Sequence, residues 1–184
     1  MTMTTISLPT ADAAIDARAL FLDAMRHTAA SVAVVTTDGP GGRAGVTVSA
    51  VCSLSADPPS VLVCIHEKSP VLDIIRRNAS FCVNLLGADQ SHVADSFAGR
   101  IPKWRADRFA CADWETAASG APVLRQALAS LDCSLARDVH HATHAVLIGE
   151  VGAIHMAPRD GLLYVDRAYR CIGAAAPAHA EVLA

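Results

Sequence analysis

Residues 45–59 read GVTVSAVCSLSADPP, with the apolar and β-branched content of a strand that belongs inside a protein. Yet the run carries four hydroxyls, Thr47, Ser49, Ser53 and Ser55, mostly spaced two apart. A buried hydroxyl without a partner is costly. Something beside this strand must supply hydrogen bonds. Two readings stand open. The hydroxyls bond local backbone or face water. Or a flat polar heterocycle lies across the strand, its ring edge bonded by hydroxyls and main-chain N–H groups.

Outward from this run the chain reads as strands joined by tight turns. SVAVVTT (31–37) is rich in β-branched residues and precedes the turn DGPGGRAG (38–45). SVLVCIH (60–66) is apolar throughout and predicts a central strand. SFCVNLL (80–86) predicts another. Three more follow, in ALASLDCSLARDVH, HAVLIGEVGAIHM and LLYVDRAYRCI. Helices are predicted from Asp16, where Leu20, Phe21, Ala24, Met25 and Thr28 recur at three- and four-residue steps. A second runs from Ser69-Pro70, a good cap and first position, to Asn78. A third, around DQSHVADSFAG, stops at Gly99. Residues 99–120 read as loop. Six or seven strands in sequence, without βαβ alternation, predict a mainly β, antiparallel barrel with short helices. The domain spans 16–173, between a loose arm at 1–15 and a tail at 174–184.

Composition narrows the function. Hydrophobic residues make up 52% of 184, enough for one full core and too many for a disordered chain. The net charge is −3 and no basic run exceeds Arg76-Arg77, which argues against nucleic acid as partner. No stretch approaches the ~20 apolar residues of a membrane span, and the N-terminus has no basic start or apolar segment. The cytoplasm is the expected location. The six cysteines contain no C-x-x-C pair and sit mostly in apolar runs, as reduced buried thiols do.

Several motifs fail on inspection. GPGGRA (39–44) fits G-x-G-x-x-A but opens the β-branched run VTVSAV rather than a helix, so it reads as a hairpin turn. His140 and His141 are adjacent and in a strand point to opposite faces, and no zinc spacing accompanies them. No metal site is expected. No G-x-S-x-G elbow, local cysteine-nucleophile signature or carboxylate pair is evident. His144 opens the apolar run AVLIGEV, where an imidazole at a strand entrance can reach a cleft. On the residues alone an ordinary surface histidine is the favoured reading.

The motifs taken in order are more specific. They are G-x-T-x-S-A-x-x-S-x-S-x-x-P-P, then VLVCIH-x-K-S, FCVNLL, a Phe-Ala-Gly helix end, H-x-V-x-x-G-E-V and LLY-x-x-x-x-Y. Over roughly residues 18–172 the chain resembles the short-chain flavin reductases, the reductase components of two-component flavin monooxygenases. The resemblance implies an FMN-binding split β-barrel, a homodimer, FMN or FAD as flavin, and NADH or NADPH as hydride donor. It also implies a separate monooxygenase, acting on an aromatic compound, that receives the reduced flavin. By the same resemblance Gly45, Val46 and Thr47 run beside the flavin, and Ser49 and Ala50 follow its ring edge. Ser53 and Ser55 approach the ribityl chain. Cys64, Ile65, His66, Lys68 and Ser69 surround the flavin tail. Asn84 and Phe97 line the cofactor site. His144 matches the histidine of a Gly-Asp-His motif that meets the nicotinamide nucleotide, here preceded by Ala142 and Thr143 instead. Tyr169 is the aromatic near the nicotinamide. Arg43, Arg76 and Arg100 are further candidates for a phosphate. Two other classes remain: a flavin-binding electron carrier of the same barrel type, and a binding domain without cofactor.

Overall fold

A computed structural model describes residues 14–172. Helix α1 (Ala14–Arg26) leads into β1 (Ala30–Ser31) and β2 (Ala33–Thr37). The strand expected over 31–37 is thus broken at Val32. There the chain passes between two sheets: Val32 N–H donates to Leu162, and its carbonyl accepts from Leu86. The arm expected at 1–15 and the tail at 174–184 lie outside the described residues, except that Ala14 and Ile15 already belong to α1.

The run 45–59 is also broken. It forms β3 (Ala44–Val48), a corner at Ser49–Ala50, and β4 (Val51–Ala56), followed by β5 (Pro59–His66). Helix α2 (Pro70–Asn78), β6 (Ser80–Leu85) and helix α3 (Ser91–Phe97) come next. Two 3-10 turns and the short β7 (Trp114–Thr116) occupy the stretch expected as loop. Then come β8 (Pro122–Leu124), β9 (Ala129–His141) and β10 (His144–Met156). The last predicted strand is a hairpin, β11 (Leu162–Val165) and β12 (Ala168–Cys171). Asp166 and Arg167 both have positive φ, so this tight turn is made without glycine or asparagine and gives no sign in the sequence.

The main sheet runs β3-β2-β6-β9-β10-β5-β4, all antiparallel. Its two edges, β3 and β4, are consecutive in the chain and separated only by Ser49–Ala50. A seven-stranded sheet meets this constraint only by curling round until its edges touch. The amide of Cys64 donates to Ala50 at 3.0 Å and holds the corner against β5. Bulges at Ile148/Gly149 and Val151/Ala153 supply bending to the long β9–β10 hairpin.

Inside the curl lies one core, of Val35, Val63, Ile65, Leu72, Ile75, Phe81, Val83 and Leu147. Helix α2 plugs one end with Val71, Leu72 and Ile75. Outside, α3 packs Val93 and Phe97 into a second core, where Phe97, Phe109 and Trp114 meet edge to face. The GPGGRA segment is the β2–β3 turn, as its sequence implied. All six cysteines are free; Cys82, Cys111 and Cys133 are buried.

Candidate functional site

Three cavities are strung along β3, the edge strand. Because β3 pairs only with β2, half its main-chain groups point away from the ladder. The central cleft, of about 260 Å³, is lined by Val46, Thr47, Val48, Ser49, Ala50, Cys64, Ile65, His66, Ser69 and His144. The structure therefore brings together most of the residues expected at the flavin. Half-buried Val46 offers apolar surface to a flat ring, Val48 and Ile65 being buried in the core beneath, and the free edge of β3 offers polar main chain. Ser69 caps α2 with its backbone but makes no side-chain cap bond, and Pro70 follows. The first turn of α2 thus faces the cleft with its helix dipole and Ser69 hydroxyl uncommitted, an arrangement favourable to an anion. Cys64 is half-buried there, and burial raises its thiol above the usual cysteine range.

At the mouth, His66 and His144 are cross-strand partners with ring centroids 5.1 Å apart. The Lys68 amide donates to His66 Nδ1 at 3.0 Å and fixes that ring; this is the contribution of Lys68 that the structure displays. Thr143 Oγ1 lies 2.9 Å from His144 Nδ1. The side chain that replaces the acidic residue of the family motif thus still engages the imidazole. His141 pairs with His144 across β9–β10, while the neighbouring His140 reaches towards Glu67 at 3.8 Å. Among the described residues, no cluster of three or more ligand-type side chains fits a metal ion.

Ala142, in place of the motif's glycine, has φ +50. An L-residue there is strained by about 1 kcal/mol. Ala142→Gly is expected to raise stability by about 0.5 kcal/mol in a urea titration, the relief of strain outweighing the added freedom of the unfolded chain. An unchanged or lowered midpoint would show that the hairpin turn does not impose this conformation.

The flanking cavities separate the remaining residues. One, of about 280 Å³, takes in Gly45 and Phe97 together with Arg43, Arg105 and Arg108. Gly45 is required by close approach: a Cβ there would lie 2.5 Å from the Phe97 ring. The other, of about 180 Å³, shares Thr47, Val48 and Ser49 with the central cleft and adds Arg100, Tyr164 and Tyr169. Tyr169 therefore stands beyond Ser49 from His144. Its hydroxyl donates to Asp95 at 2.8 Å. Burial first, and this bond second, push its pKa up to about 12, so it remains a donor throughout the neutral range.

Of the expected contacts, Asn84, Ser53, Ser55 and Lys68 line none of the three cavities. Asn84 is fully buried and its amide is used by the protein. It donates to the Val34 carbonyl and Thr36 Oγ1, and accepts from Leu124 N–H and Ser130 Oγ. It braces β2, β8 and β9 against β6. Ser53 and Ser55 lie on exposed β4, opposite Val61 and Ser60. The cleft is at the His66 end of β5, so these serines run away from it at about 3.3 Å per residue. Ser55 bonds Asp57 locally. The hydroxyls of the opening run thus have divided uses, since Thr47 donates to Ala94 at 2.6 Å while Ser49 lines the cleft.

Residues 25–173 match the flavin reductase like domain family. Over 156 residues the chain is 42% identical to an FMN reductase (NADH) RutF of Ancylobacter novellus, covering 84% of this chain and 85% of that one. Among solved structures it is similar to the flavin reductase PheA2 in its native state, with TM-score 0.77 and 34% identity, covering 84% and 97% of the two chains. It is similar also to the NADH:FAD oxidoreductase SgcE6 of Streptomyces globisporus C-1027, solved in complex with NAD and FAD fragments. There the TM-score is 0.79 and the identity 28%, covering 86% and 94%. The curled sheet of this chain is the split barrel of those reductases. With that architecture, and a cleft on its edge strand built from the residues that carried the resemblance, the chain belongs to the flavin reductase like domain family.

Proposed function

We propose that the protein is an NADH-dependent reductase of FMN or FAD that passes reduced flavin to a separate monooxygenase, one acting on an aromatic compound. The observation that carries this reading is the cleft along β3. It combines apolar faces, a free strand edge and the open end of α2 in one place, which suits a flat heterocycle with an anionic tail. Val46, Ser49, Ala50, His66 and Ser69 would hold the flavin there, and the bound flavin would supply the hydride-accepting chemistry.

The chain's own residues act by placement. The edge of β3 and the corner at Ser49–Ala50 hold the ring plane and supply polar groups where charge develops. The first turn of α2 holds the tail. His144, with its Nδ1 against Thr143, presents Nε2 as the remaining ring nitrogen towards the donor. No side chain in the cleft is arranged as nucleophile or general base, consistent with chemistry carried by two cofactors. No helix among the described residues is long and apolar enough to cross a membrane, and we take the location to be cytoplasmic. A homodimer is supported by large apolar side chains left exposed, among them Phe21 and Met25 on α1, Leu54 on β4, Val139 on β9, and Ile154 and Met156 on β10.

Purified protein mixed with NADH and either flavin is expected to consume NADH only when flavin is present, followed at the nicotinamide absorbance band. Flavin binding without consumption would favour the electron-carrier reading. His144→Ala is expected to raise KM for NADH about tenfold, one good contact's worth, with flavin affinity unchanged within about twofold. Equal losses for both ligands would remove His144 from the donor side.

A further inference from the structure

We propose that Arg100, held by Asp95 in the cavity beyond Ser49, is a specificity residue that recognises the carboxamide carbonyl of the nicotinamide donor. This rests on the reading of the central cleft as the flavin site.

The Phe-Ala-Gly end of α3 places the arginine. Gly99 has φ +74, and the amide of Arg100 turns back to the carbonyl of Asp95 at 2.9 Å. This is the Schellman closure of a helix, in which the residue after glycine has a fixed position. The side chain is held as well. Arg100 Nη1 lies 3.1 Å from Asp95 Oδ1, the same oxygen that accepts from Tyr169. The Tyr164 hydroxyl stands beside the guanidinium. One residue, Asp95, thus fixes Arg100 through both backbone and carboxylate, and ties the terminal hairpin β11–β12 to α3.

The cavity suits a ring with a neutral acceptor. Tyr164 and Tyr169 meet edge to face, centroids 5.5 Å apart, and Val32 and Ala98 complete the apolar wall. A guanidinium has five N–H donors. Asp95 cancels its charge but not its remaining donors. A phosphate gains little from a neutralised pair, whereas an amide carbonyl gains directed hydrogen bonds. A heteroaromatic ring with a carboxamide answers both features. The shared lining at Thr47, Val48 and Ser49 puts such a ring beside the one in the cleft.

The test uses full-length protein and binding rather than turnover. Inhibition constants of NAD+ and of its thionicotinamide analogue are compared, because sulfur is a weak acceptor in place of oxygen. Wild type is expected to bind NAD+ about tenfold more tightly than the analogue. In Arg100→Met that preference is expected to vanish, with flavin affinity held within about twofold. Arg100→Lys, which keeps the pair with Asp95 but loses the fork, is expected to fall between and serves if the methionine variant does not fold. Undiminished preference in Arg100→Met would overturn the proposal. So would NAD+ affinity that falls steeply with salt in wild type but not in the variant, since that marks a phosphate contact. Wild type that binds flavin but never oxidises NADH would instead sink the cleft reading on which this rests.

Discussion

Asn84→Ala is expected to lower the unfolding free energy by about 3–5 kcal/mol. The residue sits at the crossing of four strands and every arm of its amide is committed. Truncation leaves the Leu124 N–H and the Val34 carbonyl side of the network facing a void, and strands the hydroxyls of Thr36 and Ser130. Thr36 retains the Pro122 carbonyl as an acceptor, so the loss is less than the sum of four orphaned groups. For a domain of this size the melting temperature should fall by roughly 10 °C. Flavin affinity, measured well below the transition, should stay within about twofold. A variant with intact stability and a tenfold loss of flavin would place Asn84 at the cofactor after all, against its burial.

Ser49→Leu is expected to weaken flavin binding about a hundredfold, equivalent to about 2.7 kcal/mol. Ser49 lines both the central cleft and the Arg100 cavity, so an isobutyl group there fills space on both sides. The Ser49 side chain is exposed, so the melting temperature should move by no more than about 2 °C. Ser49→Ala separates bulk from hydrogen bonding and should cost less than tenfold. Fluorescence quenching of free FMN reads both variants. An unchanged affinity for the leucine variant would mean that the ring does not lie along the corner.

The barrel was legible because β-branched runs and tight turns recur without helical alternation. What escaped was set by geometry at single residues. The corner at Ser49–Ala50 lies in a run whose composition stays strand-like on both sides, so nothing in it marks the change of edge. In the turn at Asp166–Arg167 the aspartate tolerates positive φ but Arg167 stands where glycine is usual, so the pair is not a recognisable hairpin signal. For the site, Val46, Ser49, Ile65, Ser69 and His144 converge as the family pattern implied. Asn84 shared that pattern but is spent on the core, because a polar side chain on a fully buried strand is claimed by its neighbours first. Tyr164 was missed: it opposes Tyr169 only once the hairpin is seen. Arg100 stood among three candidate arginines, and only the Schellman closure separates it. Arg76, by contrast, is engaged with Asp73 and Asp138 away from the cleft lining.

The placement of β3 and β5 also bears on when binding competence arises. Nine of the ten residues lining the cleft fall within 46–69, and the Cys64 amide pins the corner at Ala50 within that same stretch. Only His144 is brought from far along the chain, by the pairing of β10 with β5. The floor of the cleft is thus a local construction, and its mouth is finished by one long-range ladder. A ligand that touches both floor and mouth, by mass action, favours the chain in which β10 is docked on β5.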